Sequence, residues 1–287
     1  MTRRAAVFGA GTMGQGIGQV IATAGWNVAL YDVDAARTTR ALGSIEAGLA
    51  KVVAKGKIES AAAAAIVARI QPSVSIAESA QEAEWLIEAV PERLDLKIAV
   101  LSEALAAAPS ALVASNTSSL SVTELGAGLG AAERTLGLHF FNPPPVMELV
   151  EIVRGVRTTD ETLQSALDFV AALKKTPIVV RDVAGFATSR LGVLLGAEAM
   201  RMLETGVASA QDIDRAMELG YRHPMGPLKL TDLVGLDVRL AILEHLQKEI
   251  GEQFRPPAIL RQLVRAGKLG KKTGEGFYRW DGNEARS

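Results

Sequence analysis

Three histidines and no cysteine in 287 residues leave few groups for proton transfer and none for thiolate chemistry. His139 stands inside the apolar stretch from Thr135 to Phe140. An imidazole there, with its near-neutral pKa, suits a base that removes a hydroxyl proton while hydride leaves the same carbon. Glu151 sits in a second apolar stretch, on one strand face with Leu149 and Val153. A buried carboxylate needs a partner, and a histidine on a neighbouring strand supplies one. Three more polar residues follow apolar runs: Glu92 after Val90, Ser118 after the 111–115 run, and Asn142 three residues past His139. The competing role for His139 is that of a core histidine. His223, in Tyr-Arg-His-Pro-Met-Gly-Pro, reads as part of a rigid turn, and His245 reads as a packing or surface residue within a helix.

Gly9, Gly11 and Gly14 enclose Thr12 and Met13 in a GxGxxG spacing. In a dinucleotide site the first two glycines permit a tight turn and close approach to a pyrophosphate. The third lets the helix pack on the sheet, and the helix N-terminus attracts the anion. Alone the motif is weak in a chain with 27 glycines, so its context matters. It follows the apolar run Ala5–Phe8, opens a helix with Ile17, Val20, Ile21 and Ala24 on one face, and is trailed by Asp32 at the end of a second run, Val28–Tyr31. Asp32 lies 18 residues after Gly14, where a carboxylate binds adenosine ribose hydroxyls and repels a 2′-phosphate. NAD is therefore favoured over NADP, and Arg37 comes too late to reverse that. The plain alternative for Asp32 is a turn residue.

The elements that position these residues follow from periodicity. Strand, turn, helix and strand within about 30 residues make one βαβ unit. Helices are expected over 35–53, from a Ser60 cap to Ile70 with Pro72 closing it, and over 94–107 and 160–173. Strands are expected at 74–76, 85–90, 111–115, 135–140, 149–153 and 178–180, with Ser121 and Glu124 forming a capping box between two of them. Beyond Val183 the β pattern disappears and helices are expected over 186–204, 209–219, 231–251 and 256–266. The fold class is α/β: a Rossmann-like dinucleotide-binding domain over 1–182, then an all-helical domain over 183–287.

Composition narrows the classes further. With 31 basic and 32 acidic residues the formal charge is -1, which provides no field for nucleic acid. Three histidines and no cysteine argue against a metal site. The apolar stretch after Met1–Arg4 is too short for a secretory signal, and no run of 18 apolar residues exists, so a cytoplasmic protein that does not span a membrane is expected.

Several ordered segments resemble the L-3-hydroxyacyl-CoA dehydrogenase family, bacterial 3-hydroxybutyryl-CoA dehydrogenases especially. They are Gly9-Ala-Gly-Thr-Met-Gly14, Asn116-Thr-Ser-Ser-Leu120, His139-Phe-Phe-Asn-Pro143 and Leu149-Val-Glu-Ile-Val-Arg-Gly155. The second half agrees through Glu204–Ala208, Asp212-Ile-Asp214, His223–Pro227, Asp232–Asp237 and Gly270–Tyr278. The resemblance implies reversible NAD-linked oxidation of an L-3-hydroxyacyl-CoA, a helical domain that dimerises, and a site between the domains. By position it implies His139 as the catalytic histidine, Glu151 as its carboxylate partner and Ser118 as a contact to the substrate oxygen. It also matches Asn142 to the motif asparagine and Glu92 to the acid lining the nicotinamide pocket. CoA phosphates are expected near Lys51, Lys55 and Lys57, for which a solvated charge run is the alternative. One position departs: the family commonly reads Gly-Phe-Val-x-Asn-Arg where this chain has Gly185-Phe-Ala-Thr-Ser-Arg190, so Ser189 replaces an asparagine that faces the active site. Rival functions are dehydrogenation of a free hydroxy acid or sugar acid, and NAD binding without turnover.

Overall fold

The computed structural model describes residues 3–286, which fall into two compact units meeting between Asp182 and Val183. The first unit runs β1 (Arg4–Phe8), α1 (Thr12–Thr23), β2 (Asn27–Tyr31), α2 (Ala35–Ala54), α3 (Ser60–Ala68), β3 (Ile70–Ser73), α4 (Ile76–Ala80), β4 (Trp85–Glu88), α5 (Leu94–Ala107), β5 (Leu112–Ser115), α6 (Val122–Gly128), β6 (Thr135–Phe140), β7 (Leu149–Arg154), α7 (Asp160–Ala172) and β8 (Thr176–Arg181). Its strands form one eight-stranded sheet in the order β3-β2-β1-β4-β5-β6-β7-β8. Strands β1 to β6 are mutually parallel, β7 is antiparallel to β6, and β8 is parallel to β7.

Helices on both faces explain why the strands are short continuous apolar runs rather than alternating ones. In β1, Ala5 and Val7 face a core built with α1, α2 and α7, while Ala6 and Phe8 face one built with α4 and α5. All four are fully buried. Trp85 stacks on Phe169 of α7 at 4.9 Å, and Trp26 meets the same ring edge-on at 5.0 Å, so three of the few aromatics fill one core.

Two local expectations are corrected. Ile76 opens a helix rather than closing a strand; the strand is Ile70–Ser73, with Pro72 opposite Leu30. A proline lacks a ladder donor, and β3 accommodates it because it is the sheet edge. Ser60 lies inside α3, whose N-cap is Glu59 without a side-chain cap bond. Ser121 does cap α6, accepting a hydrogen bond from the Glu124 amide.

The second unit contains α8 (Thr188–Glu204), α9 (Ala210–Gly220), α10 (Pro227–Val234), α11 (Leu236–Glu249) and α12 (Ala258–Arg265), packed around Leu228, Leu236, Leu243, Leu246, Phe254 and Leu260. The helix expected over 231–251 is two helices. Gly235 breaks it with φ +104°, a conformation that favours glycine. A short hairpin, β9 (Arg279–Asp281) and β10 (Glu284–Arg286), is added to the helices near the C-terminus. Two buried acids hold this unit together. Asp214 accepts from the Leu228 and Lys229 amides at the start of α10 and from the Tyr278 hydroxyl. Asp232 accepts from the amides of Phe277 and Tyr278 and from the Trp280 indole.

Candidate functional site

The sheet order reverses direction between β1 and β4, and ligands of open α/β sheets bind beyond the C-terminal strand ends at that point. The chain places there, in turn, Gly9 after β1, Asp32 after β2, Glu92 after β4, Ser118 after β5, and His139 next to the last residue of β6. One edge of one sheet thus collects most of the residues singled out from sequence.

The glycine turn has the shape a pyrophosphate requires. Gly9 takes φ +103°, and a Cβ on it would lie 2.6 Å from the Ala89 carbonyl oxygen. A Cβ on Gly14 would fall 1.7 Å from the Gly9 carbonyl oxygen, so only glycine lets α1 start this close to the strand. Gly11 differs: a Cβ there would meet no atom within 4 Å. Its bareness serves no internal packing and leaves the backbone approachable from outside. Gly11 is also the N-cap of α1 and has no side-chain cap bond, so the first-turn amides keep their affinity for an anion. The Asp32 carboxylate is only 7% exposed; it accepts from the Ala10 amide at 3.0 Å, which locks the turn to β2. Arg37 comes within 3.7 Å of its other oxygen, closer than sequence distance suggested. These residues fit a dinucleotide with free ribose hydroxyls.

His139 and Glu151 are directly opposite one another across the antiparallel β6–β7 pair. The imidazole Nδ1 and the Glu151 Oε2 are 2.7 Å apart. Glu151 is fully buried and His139 is 7% exposed. In this geometry the carboxylate accepts from Nδ1–H, which selects the tautomer whose Nε2 is the basic nitrogen. The end of β6 is fixed by Asn116, whose side-chain oxygen accepts from the Phe140 amide at 2.9 Å. Gly16 brings α1 against the same segment, since a Cβ on it would sit 2.7 Å from Pro144. The glycine turn and the histidine strand are therefore packed as one body.

Glu92 acts as a clasp on the turn after β5. It accepts from the Thr117 hydroxyl at 2.5 Å, the Ser118 amide at 3.0 Å and the Ser119 hydroxyl at 3.2 Å. Behind it lies a buried network not singled out from sequence. Lys97, 1% exposed, reaches Glu88 at 2.7 Å and Glu92 at 3.0 Å, and the Ser115 hydroxyl donates to Glu88. Burial pushes the Glu88 carboxyl above its ordinary value despite the neighbouring lysine. For Glu92, burial also acts upward, but the Lys97 ammonium and the Thr117 hydroxyl outweigh it and hold the carboxyl low. The missed signal was Glu88 itself, an acid within the apolar run Trp85-Leu-Ile-Glu, as Glu151 is within its own run.

The remaining candidates lie elsewhere. Asn142 is exposed two residues beyond β6. Lys51 occupies the last turn of α2 and Lys55 its C-cap, both exposed, where cations also offset the helix dipole. An apolar groove of about 620 Å³ runs between α2 and α3, lined by Leu49, Val53, Ala63 and Val67 among others. Ser189 belongs to the second unit, near the start of α8. Among the described residues no cluster of metal-ligating side chains occurs, and no helix is long and apolar enough to cross a membrane.

Residues 4–183 match the NAD-binding domain of 3-hydroxyacyl-CoA dehydrogenase, and residues 185–280 match its C-terminal domain. A probable 3-hydroxybutyryl-CoA dehydrogenase of Bacillus subtilis is 39% identical over 277 residues, 96% of each chain. The 3-hydroxyadipyl-CoA dehydrogenase of Escherichia coli is 40% identical over 278 residues, 96% of this chain and 58% of that one. The crystal structure of (S)-3-hydroxybutyryl-CoA dehydrogenase from Ralstonia eutropha superposes with a TM-score of 0.94 at 39% identity, covering 98% of this chain and all of that one. With both family models matched, these relatives at about 39% identity, and the glycine turn, Asp32 and the histidine–glutamate pair on one sheet edge, the chain belongs to the 3-hydroxyacyl-CoA dehydrogenase family.

Proposed function

We propose that the protein oxidises L-3-hydroxyacyl-CoA thioesters, 3-hydroxybutyryl-CoA among them, to the 3-ketoacyl-CoA with NAD, and runs the reverse reduction. The observation that carries this reading is the 2.7 Å His139–Glu151 contact on the sheet edge that also holds the glycine cradle. NAD bound there supplies the hydride acceptor. The chain's part is the proton: His139 Nε2 removes it from the 3-hydroxyl in oxidation and returns it to the ketone oxygen in reduction. Glu151 fixes the tautomer and stabilises the imidazolium that forms, as a buried acid does beside other catalytic histidines. Ser118 and Asn142 orient the substrate oxygen, with Ser118 held through its amide by Glu92. Ser189, shorter than asparagine, keeps one donor and two acceptors.

Lys51 and Lys55 beside an apolar groove suit the phosphates and the apolar arm of CoA. A homodimer through the second unit accords with its uncovered apolar side chains. Leu191 of α8, Leu230 and Leu233 of α10 and Val238 of α11 are all at least 40% exposed, which leaves them available to a second copy.

The test is NADH oxidation with acetoacetyl-CoA and with free acetoacetate, with NADPH as control. Turnover of the thioester with NADH is expected. Equal kcat/KM for acetoacetate would favour the free-acid rival, and NADH binding with no turnover of any acyl-CoA from C4 to C16 would favour the inactive one.

A further inference from the structure

The loop that joins β6 to β7 carries Asn142 near its start and connects the two strands that hold His139 and Glu151. From Asn142 to Glu148 every residue is exposed except Pro144, which is buried. Three consecutive prolines, Pro143 to Pro145, stiffen the segment but give it no amide donors of their own. Within the loop the Val146 and Met147 amides donate to the Pro143 carbonyl, at 3.0 and 3.1 Å, and close a turn. Pro144 packs on α1, where only glycine at position 16 leaves space for its ring.

The loop is also gripped by one cation. Lys175, between α7 and β8, donates from Nζ to the Pro144 carbonyl at 2.8 Å and to the Met147 carbonyl at 2.7 Å. Among the described residues these are the only side-chain hydrogen bonds that residues 142–148 receive. Bonds from an ammonium are stronger than neutral ones, and here they go to main-chain carbonyls rather than to an acid. Burial pulls the pKa of this ammonium below its ordinary value, and Glu148 acts in the opposite direction. The base of the side chain is fixed as well. The Lys174 amide donates to Ala171 and the Lys175 amide to Val170, with Lys174 at φ +56° in the helix-ending position that glycine ordinarily takes. The next amide, that of Thr176, donates to the Glu148 carbonyl at 2.8 Å and begins the β7–β8 pairing. A lysine rooted between a helix end and a strand start thus ties the loop to the sheet at a set distance. We propose that Lys175 is a positioning residue for the reaction: by clamping the Pro144 and Met147 carbonyls it holds Asn142 where that residue orients the substrate oxygen. The proposal rests on the role given above to Asn142.

The experiment is a double-mutant cycle of Lys175→Met and Asn142→Ala, with Lys175→Arg beside it, read as kcat and KM for acetoacetyl-CoA with NADH. Loss of one hydrogen bond to the reacting oxygen corresponds to a fall of roughly 10- to 100-fold in kcat for Asn142→Ala. Lys175→Met is expected to lower kcat about tenfold while KM stays within about threefold, because the interaction it aligns is made at the reacting atoms. Arginine can reach two carbonyls with its forked donors, so Lys175→Arg is expected to keep kcat within about threefold of wild type. In the Asn142→Ala background Lys175→Met is expected to cost less than about twofold, since the group it positions is gone. An equal loss in both backgrounds overturns the proposal and reduces Lys175 to general packing, and wild-type kcat in Lys175→Met overturns it too. Should Lys175→Met fail to fold, Lys175→Gln, which can still serve one carbonyl, takes its place in the same cycle under the same criteria. Asn142→Ala at the wild-type rate overturns the proposal together with the role of Asn142 and leaves the dehydrogenase reading standing. Wild type that does not turn over acetoacetyl-CoA refutes that reading itself.

Discussion

Replacing Glu151 by glutamine tests the electrostatic half of the mechanism. Glutamine matches the shape of the buried carboxylate and can still accept from Nδ1–H, so the 2.7 Å contact survives while the negative charge is lost. In the proposed oxidation His139 becomes an imidazolium against that carboxylate. For charge centres roughly 4 Å apart and an effective dielectric constant of about 20, the attraction is about 4 kcal/mol. At 1.36 kcal/mol per decade, its loss slows proton transfer about 10³-fold. Because product release limits many dehydrogenase-type turnovers, the quantity to measure is the single-turnover rate of NAD reduction by 3-hydroxybutyryl-CoA in a stopped-flow instrument. NADH affinity, read by fluorescence titration, is expected within about twofold of wild type, since the glycine cradle and Asp32 are untouched. A single-turnover rate within fivefold of wild type, or an equal loss of NADH affinity, would refute the reasoning.

The three glycines separate packing from binding. Gly14→Ala forces a Cβ onto the Gly9 carbonyl and Gly9→Ala adds a strained φ, each expected to cost about 1–3 kcal/mol of stability in chemical denaturation. Gly11→Ala is expected to melt with the wild type yet weaken NADH binding about tenfold, or 1.4 kcal/mol; unchanged affinity would place the pyrophosphate elsewhere. Asp32→Ser removes the charge facing the ribose and releases Arg37, and should raise the NADPH-to-NADH kcat/KM ratio at least about tenfold. The acid limb of stability is expected to involve Glu92. Its carboxyl is held low by Lys97 and Thr117 against the upward pull of burial, so the stability it contributes is full at neutral pH. That contribution is lost as pH falls below about 4.3, the ordinary glutamate value, through its lowered value. Glu92→Gln should flatten this part of the Tm–pH profile, and an unaltered profile would contradict the clasp.

Much of the site was legible because its residues violate their surroundings. His139 and Glu151 are polar residues inside apolar runs, and two such runs in one sheet bring them face to face. The glycines were legible from spacing plus context, though only the fold separates Gly9 and Gly14, which are steric necessities, from Gly11, which is not. What escaped sequence reading was decided by tertiary position. Pro72 reads as a terminator, but at a sheet edge a proline is tolerated and the strand includes it. Gly235 splits one periodic stretch into two helices, because a positive φ interrupts the helix without disturbing the apolar pattern. Lys97 resembles any surface lysine of an amphipathic helix; only the fold shows it enclosed between Glu88 and Glu92. The family segments Asp212-Ile-Asp214 and Asp232–Asp237 have a physical meaning as well: Asp214 and Asp232 are the acceptors that fasten the helical unit to its C-terminal strand segment.

The central claim, that His139 handles the proton while hydride moves between substrate and NAD, is tested most directly by His139→Gln. The wild type and this variant are compared for NADH-linked reduction of acetoacetyl-CoA, with NADH binding measured on the same preparations. Turnover is expected to fall by a factor of roughly 10²–10⁴ while NADH affinity is kept. Near-wild-type turnover in His139→Gln would contradict the account.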